Sequence, residues 1–267
     1  MKKGINKPKV VACIQARMGS KRLKNKALLE ISGKSITEII FDRLKASKEI
    51  DDIVLSTSSL KENDVLVKHA KDIGLKYYQG SETDLVLRHL GAAKQFKADA
   101  IVRITGDCPV IDPKLIDKMI KVFRKSPEKF DLITNIFPPT FPDGLDAEIL
   151  PVSTLKKMDY EIKNPLHREW LTCYLMENPK QFRIYNVKNT RYPFTKNLRL
   201  TIDYPEDVLL VKKIFKTLGK KDRIFTFAQI VEFSKKNPDI MRINLNRIDN
   251  VITQGIRSSA YFNIKNN

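Results

Sequence analysis

The sequence predicts an α/β protein with a mainly parallel sheet. Short apolar runs alternate with longer amphipathic segments, which is the pattern of repeated βαβ units. With 267 residues, of which 42% are hydrophobic, the chain can bury a sizeable core. The alternation breaks at about residues 135–195, where proline and aromatic residues are frequent. We therefore expect one domain over residues 1–247, with an irregular lobe beside the sheet at about 135–195, and a C-terminal tail over 248–267.

Strands are predicted where apolar or β-branched residues form short runs. The first is an unbroken run, Val10 to Ile14, typical of a strand buried on both faces. The predicted strands are Lys9–Ile14, Asp52–Ser56, Ala100–Thr105, Leu132–Thr134 and Leu198–Ile202.

Helices are predicted in the longer segments between these runs. In the first of them Ile36, Ile39 and Ile40 begin an i, i+3, i+4 apolar stripe. Pro113 and Pro205 stand where a helix can begin, because the first turn needs no amide donor there. The predicted helices are Thr37–Ser47, Asn63–Ile73, Leu85–Phe96 and Pro113–Arg124, with another after Pro205.

The composition limits the possible partners and compartments. A formal net charge of +18 favours polyanions such as nucleotides, nucleic acid, acidic sugars or anionic membranes. The lysines are scattered without a long polybasic block, so the charge by itself does not predict a nucleic-acid groove. Cys13, Cys108 and Cys173 lie far apart and form no CxxC pair, which suits a reducing compartment. With no apolar leader and no membrane-length apolar stretch, we expect a soluble cytoplasmic protein.

The loop after the first strand has the composition of a phosphate-binding loop. Its small residues are Gly19 and Ser20, and its cations are Arg17, Lys21, Arg22 and Lys26. Backbone amides and clustered cations at the carboxyl end of a strand suit a polyphosphate. A solvated basic loop is the alternative in a chain so rich in lysine.

Two aspartates follow predicted strands and are candidate magnesium ligands. Asp107 comes after Ala100–Thr105, and Asp203 after Leu198–Ile202. Ligands of open α/β sheets collect beyond the carboxyl ends of the strands, and Mg²⁺ takes one or two carboxylates together with phosphate oxygens. Asp107 could equally be a turn residue before Pro109. Helix capping accounts for Glu206 and Asp207, which leaves Asp203 as the better ligand candidate.

These segments, in this order, resemble the cytidylyltransferases that make CMP-activated acidic sugars, the CMP-Kdo and CMP-sialate synthetases. The resemblance is greatest to the branch named after spore coat polysaccharide biosynthesis protein F, and it spans roughly residues 9 to 247. The matching segments are the basic loop, Gln79–Arg88, Arg103–Pro109, Phe141–Glu148, Leu200–Asp207 and Asn237–Asn244.

The resemblance implies a Rossmann-like nucleotidyltransferase fold (GT-A-like), a three-layer sandwich around a mainly parallel mixed sheet. It implies transfer from CTP to a sugar, with Mg²⁺ as cofactor and a homodimer as the assembly. Arg17, Lys26, Asp107 and Asp203 take the catalytic positions, and the two aspartates those of the metal ligands. The implied nucleotide contacts are Arg17, Ser20, Arg22 and Lys26 for the triphosphate, Thr57 and Ser58 for the nucleoside, Asp84 and Arg88 for cytosine and ribose, and Asp107. Asp84 and Arg88 are open to a second interpretation, as a helix-start acid and a surface arginine.

The irregular lobe supplies candidate contacts to the acceptor. Carboxylates suit sugar hydroxyls, and an arginine can receive an acidic group. The candidates are Asp143, Asp146, Glu148, Arg168 and Glu169, for each of which a structural salt bridge or turn is the alternative. Two departures from the family pattern stand out. Lys24-Asn25 replaces a proline-containing pair before the loop lysine, and Trp170 follows Arg168-Glu169 where relatives usually have histidine.

Three other functions remain as alternatives. A nucleotide-sugar-dependent glycosyltransferase has a similar fold, but such enzymes commonly hold metal through a compact Asp-x-Asp, whereas Asp107 and Asp203 stand singly. A cytidylyltransferase acting on a small hydroxy acid or phosphonate would share the nucleotide site. A nucleic-acid-binding protein should interleave its cations and aromatics, and here they are separate. We therefore expect CTP and a small-molecule acceptor as partners, with neither nucleic acid nor membrane.

Overall fold

The computed structural model describes residues 7–219 and 224–247, and its core is a seven-stranded sheet. The strands are β1 (Val10–Gln15), β2 (Glu30–Ile31), β3 (Lys34–Ser35), β4 (Asp52–Ser58), β5 (Lys76–Gly80), β6 (Ala100–Thr105), β7 (Leu132–Thr134), β8 (Glu148–Pro151) and β9 (Ile184–Asn186). The sheet order is β5-β4-β1-β6-β8-β7-β9, and β2 and β3 form a separate antiparallel pair. β5, β4, β1 and β6 run parallel to one another, while β8 is antiparallel to both of its neighbours.

Helices cover both faces of the sheet. They are α1 (Ile36–Lys45), α2 (Asp64–Asp72), α3 (Leu85–Gln95), α4 (Pro113–Lys125), α5 (Val152–Glu161), α6 (Pro165–Glu169), α7 (Leu171–Glu177), α8 (Pro205–Leu218), α9 (Phe227–Lys236) and α10 (Pro238–Met241). Successive side chains of a strand point to opposite faces, so β1 divides between two cores. Val10, Ala12 and Ile14 pack with α1, α4, α8 and α9, whereas Val11 and Cys13 pack with α3, α5 and α7. The predicted three-layer α/β sandwich with a mainly parallel mixed sheet is confirmed.

Most of the predicted elements are confirmed. The first four predicted strands correspond to β1, β4, β6 and β7, and the four helices predicted with bounds to α1–α4, with ends within two residues. The helix predicted after Pro205 is α8. The predicted strand Leu198–Ile202 is wrong. Leu200 and Ile202 are buried, but their amides donate to the carbonyls of Asp143 (2.7 Å) and Asp107 (2.9 Å), which lie in loops. The segment is apolar because it crosses the core at the ends of the strands, outside the sheet.

The stretch at 135–195 is only partly irregular. β8 and β9 belong to the central sheet, so the expectation that this stretch lies beside the sheet is wrong for those two strands. The predicted tail at 248–267 lies outside the described residues, and the boundary at residue 247 stays a prediction. Within the described part of the chain, each helix is too short or too polar to cross a lipid bilayer.

Candidate functional site

Three cations of the loop after β1, Arg17, Arg22 and Lys26, lie against carboxylates. Arg17 pairs with Glu82 and lies 3.6 Å from Glu169. Arg22 Nη2 is 2.6 Å from the carboxylate of Asp203. The loop therefore presents its positive charge to acidic groups that come from distant parts of the chain.

Lys26 is placed by the turn before it and by a buried neighbour. Asn25 adopts a left-handed conformation (φ 55°), after which a short 3₁₀ helix, Lys26–Leu28, begins. Asparagine tolerates this conformation, so the loop turns here without a proline. Ala27 is 2% exposed, and its carbonyl accepts a hydrogen bond from the Thr37 hydroxyl at 2.8 Å. This anchoring aims the Lys26 side chain at the ends of the strands.

Lys26 joins the two predicted metal ligands. Its Nζ donates to Asp107 Oδ2 at 3.0 Å and to Asp203 Oδ1 at 2.9 Å. Burial opposes charge on Lys26, but the two aspartates raise its pKa above the ordinary value. Burial likewise opposes charge on Asp107, but Lys26 outweighs it and holds the pKa of Asp107 at about 2. Lys26 and Asp107 are therefore both charged at neutral pH.

Gly106 brings the Asp107 turn against the first loop. Its amide donates to the Gln15 carbonyl at 2.8 Å, and a Cβ at this position would lie 2.8 Å from that of Ala16. A larger residue would push the two loops apart, so glycine is required for the close approach.

Asp203 is held by a buried arginine that the sequence did not single out. Arg199, 3% exposed, donates to Asp203 (3.1 Å), to Asp143 (3.0 Å) and to both carboxylate oxygens of Asp207 (2.9 and 3.0 Å). Asp207 also accepts from the Asp203 and Tyr204 amides, which confirms its predicted capping role. A charged residue inside an otherwise apolar run was the available signal for Arg199.

Thr57 and Ser58, the predicted nucleoside contacts, differ in the hydrogen bonding of their hydroxyls. Thr57 and Ser58 are the last residues of β4 rather than residues after it, and both are fully buried. The Ser58 hydroxyl accepts from the Leu60 amide (3.1 Å) and the Asn63 side chain (3.3 Å). The Thr57 hydroxyl has no hydrogen-bond partner among the described residues.

Asp84 and Arg88 shape the turn before α3. Asp84 caps the helix by accepting from the Leu87 amide at 2.9 Å, which confirms its interpretation as a helix-start acid. Arg88 is 1% exposed and donates to the carbonyls of Ser81 (2.6 Å) and Glu82 (2.7 Å). Its interpretation as a surface arginine is therefore wrong. Burial lowers the pKa of Arg88 to about 10.

The candidate acceptor residues do not form one cluster. Arg168 bonds to Asp84 and to Asp159, and Glu169 faces Arg17. Asp143 belongs to the Arg199 group, with Asp146 half-buried in the same loop. Glu148 is the first residue of β8, 2% exposed, and pairs with Arg103 on β6. Trp170 stands between α6 and α7 and is 44% exposed.

The described residues contain no group of three or more His, Cys, Asp and Glu side chains placed to hold a metal ion. Asp107 and Asp203 are a pair, and two carboxylates are what Mg²⁺ takes when phosphate supplies its other oxygens.

Comparison with known proteins decides the family. The sequence profile of a family described as cytidylyltransferase matches residues 11–245. The chain belongs to the cytidylyltransferase family. It is therefore a nucleotidyltransferase, as the resemblance implied.

Individual relatives agree with this family. The chain is 27% identical over 235 residues to spore coat polysaccharide biosynthesis protein SpsF of Bacillus subtilis, covering 86% of this chain and 95% of the relative. It is 33% identical over 140 residues to 3-deoxy-manno-octulosonate cytidylyltransferase of Elusimicrobium minutum, covering 51% and 53% of the two chains. A solved cytidylyltransferase of Leptospira borgpetersenii superimposes with a TM-score of 0.83 at 37% identity, covering 88% of this chain and 97% of the other.

Proposed function

We propose that this cytidylyltransferase transfers CMP from CTP to a hydroxyl of an acidic sugar and releases pyrophosphate, for surface polysaccharide or glycan biosynthesis. The observation that supports it best is the contact of Lys26 with both Asp107 and Asp203, beside Arg22. Cations and carboxylates from three distant segments converge at the carboxyl edge of the sheet, as a metal-chelated triphosphate requires.

Mg²⁺ fits the carboxylate pair. The Lys26 ammonium already lies between the two aspartates as a cation, within 3.0 Å of an oxygen of each. Asp107 and Asp203 would hold the ion through hard oxygen donors. When bound, Mg²⁺ would neutralise triphosphate charge and lower the pKa of the acceptor hydroxyl.

The loop cations stabilise the leaving group. The acceptor oxygen attacks the α-phosphorus in line, and negative charge grows on the departing pyrophosphate. Arg17, Arg22 and Lys26 exchange their carboxylate partners for phosphate oxygens, with the Ser20 region supplying backbone donors. These cations are fixed in advance by their ion pairs, so less conformational freedom is lost when the nucleotide binds.

The nucleoside lies against the ends of β4 and the turn before α3. Thr57, whose hydroxyl has no partner among the described residues, and Ser58 end β4 beneath this region, while Arg88 and Asp84 shape the turn. Arg88 acts here by holding two carbonyls in place, a role that its burial supports.

A pyrophosphate-release assay with CTP, Mg²⁺ and a panel of acceptors tests the reaction. We expect release that depends on CTP, on Mg²⁺ and on an acidic sugar. Lys26→Met should abolish it, while Lys24→Met, which removes an exposed lysine of the same loop, should not. A preference for ATP or UTP would contradict the assignment of the base.

The same assay separates the alternatives. Transfer of sugar from a nucleotide sugar, with no release from CTP, would indicate a glycosyltransferase. Pyrophosphate release with small hydroxy acids or phosphonates, but not with sugars, would change the proposed acceptor class. The proposed reaction of CTP would stand.

The protein acts as a homodimer in this proposal, with α6 and α7 near the subunit contact. Leu166 and Trp170 support it, because they expose 62% and 44% of their surface on neighbouring positions of this segment. Sedimentation of the wild type and of Leu166→Glu checks the assembly, since the charge should dissociate a dimer formed through this face.

A further inference from the structure

A second polar cluster lies in the core on the α3 side of the sheet. It consists of Gln15 at the end of β1, Arg103 on β6, Glu148 at the start of β8 and His89 on α3. Gln15 Oε1 accepts from Arg103 Nε at 2.7 Å and lies 3.2 Å from His89 Nε2. Arg103 Nη1 pairs with Glu148 Oε2. Of these four residues, only Glu148 was predicted from the sequence as a candidate site residue.

This cluster retains unused hydrogen-bonding capacity. Glu148 Oε1 and His89 Nδ1 are buried and have no hydrogen-bond partner among the described residues. Burial lowers the pKa of His89 well below its ordinary value, so the ring is neutral. The second terminal nitrogen of Arg103, Nη2, has no protein partner within the described residues either. Buried polar groups are normally satisfied, so the unpartnered atoms of Glu148 and His89 need an explanation.

Arg168, the arginine predicted to receive an acidic group, has instead used its hydrogen-bond donors within the protein. Its Nε donates to Asp84, its Nη1 to the Asp159 and Ile162 carbonyls, and its Nη2 to Asp159 Oδ1. Every nitrogen of Arg168 therefore already serves the protein. Arg103, by contrast, keeps one terminal nitrogen without a protein partner among the described residues.

Arg103 also lies at the right place in the fold. It precedes Asp107 by four residues, and Gln15 precedes Arg17 by two, so the cluster shares the carboxyl edge of the sheet with the proposed nucleotide site. Cys173 of α7 lies close by: burial raises its pKa to about 12, with a smaller contribution from the Glu148 charge. The cluster is thus enclosed between the sheet and the segment that bears Trp170.

We propose that Arg103 binds the carboxylate of the acidic acceptor, with Gln15 and Glu148 as positioning residues that fix its guanidinium. This inference rests on the proposed function, because it names the residue that selects the acceptor. The Arg103 side chain is 13% exposed against 2% for Glu148, so Arg103 is the more accessible member of the pair. A guanidinium suits this task because its planar fork matches a carboxylate.

A structural role for the Arg103–Glu148 pair is the competing explanation. The two residues face each other in the β6–β8 register, so the pair also joins these strands. Such a role predicts a loss of stability when Arg103 is changed, without any change in acceptor preference.

The test compares Arg103→Gln and Arg103→Lys with the wild type on matched acceptors. The acceptors are sugar acids of six to nine carbons, their C1 carboxamides and neutral sugars, each assayed by pyrophosphate release from CTP. For Arg103→Gln we expect the KM of the best acid to rise about 100-fold. The KM of CTP should stay within about twofold of wild type, and the preference for acid over carboxamide should disappear. Arg103→Lys keeps the charge without the fork and should raise the same KM about tenfold.

Arg124→Gln is the matched control. Arg124 is a half-buried arginine paired with Glu49 and Asp51 at the opposite end of the strands. Its replacement should lower the melting temperature and leave the acceptor preference unchanged.

An unchanged preference in Arg103→Gln, or an unchanged KM in Arg103→Lys if the glutamine variant does not fold, refutes this inference alone. Turnover by the wild type with neutral sugars and no acid also refutes it and leaves cytidylyl transfer intact. No release from CTP with any acceptor refutes the proposed function as well.

Discussion

Replacing Arg199 by methionine tests how the proposed metal ligand is held. Arg199 is enclosed by three carboxylates, those of Asp143, Asp203 and Asp207. Methionine fills a similar volume but removes the charge and every donor. Asp207, which is fully buried, would keep only the Asn244 amide and two backbone amides as partners.

The magnitude follows from the burial. Breaking a buried ion pair by removing one partner costs about 3–5 kcal/mol, because the remaining charge is left uncompensated. For a chain of this size, 1 kcal/mol lowers the melting temperature by about 2–4 °C. We therefore expect Arg199→Met to melt roughly 6–20 °C below the wild type. Asp203 loses one of its anchors, so turnover should fall as well.

Differential scanning calorimetry measures the shift. Arg242→Met is the control, because that arginine pairs with Asp239 at the surface, with 70% and 90% of the two side chains exposed. Its loss should cost no more than about 0.5 kcal/mol. Adding Asp207→Asn to Arg199→Met should cost less than the sum of the single changes, because it removes the uncompensated charge. A melting temperature for Arg199→Met within about 2 °C of the wild type would refute the reasoning.

Three further outcomes are expected. Lys26→Met should lower kcat for pyrophosphate release by at least about 100-fold, since it removes a preorganised cation, and a wild-type rate would rule out its role. Asp107→Asn should abolish the extra thermal stabilisation that Mg²⁺ gives to the CTP complex, measured by thermal shift with and without EDTA. Gly144→Ala should destabilise the protein by several kcal/mol, because its φ is +101° and a Cβ would lie 2.4 Å from the Leu200 carbonyl carbon. Gly33→Ala, with φ +80° and open space around it, should cost only about 1 kcal/mol, and urea titrations of both variants measure the difference.

Local patterns predicted the part of the fold that local physics determines. β1 is an unbroken apolar run because both faces of the strand are buried, and α1 shows its stripe because one face packs on the sheet. β5 gave no comparable signal. It is one of the two edge strands, paired with β4, and its residues are half-buried or exposed, so polar side chains such as Lys76 and Gln79 are tolerated.

The same distinction applies to the candidate site. Asp107 and Asp203 were visible because each follows an apolar run at a turn, and the structure brings both to Lys26. The partner of a buried charge could not be predicted in this way. Arg168 meets Asp84 across 84 positions of the chain, and such a pairing leaves no periodic trace in the sequence. The interpretation of Arg88 as a surface residue failed for a different reason, because its partners are the nearby Ser81 and Glu82 carbonyls, which a turn places beside it.

The net charge of the whole chain does not explain how the site attracts a polyanion. The chain carries a formal charge of +18, yet each proposed phosphate-binding cation of the first loop, Arg17, Arg22 and Lys26, already has an acidic partner. Arg22 and Lys26 share Asp203, so the local charge at this edge is nearly balanced before a nucleotide arrives. A bare polyanion would have to displace these carboxylates, whereas a triphosphate that brings its own divalent cation gives the carboxylates a new partner. The ion pairs therefore favour a metal-chelated nucleotide over nucleic acid, which the excess of lysine alone would not do.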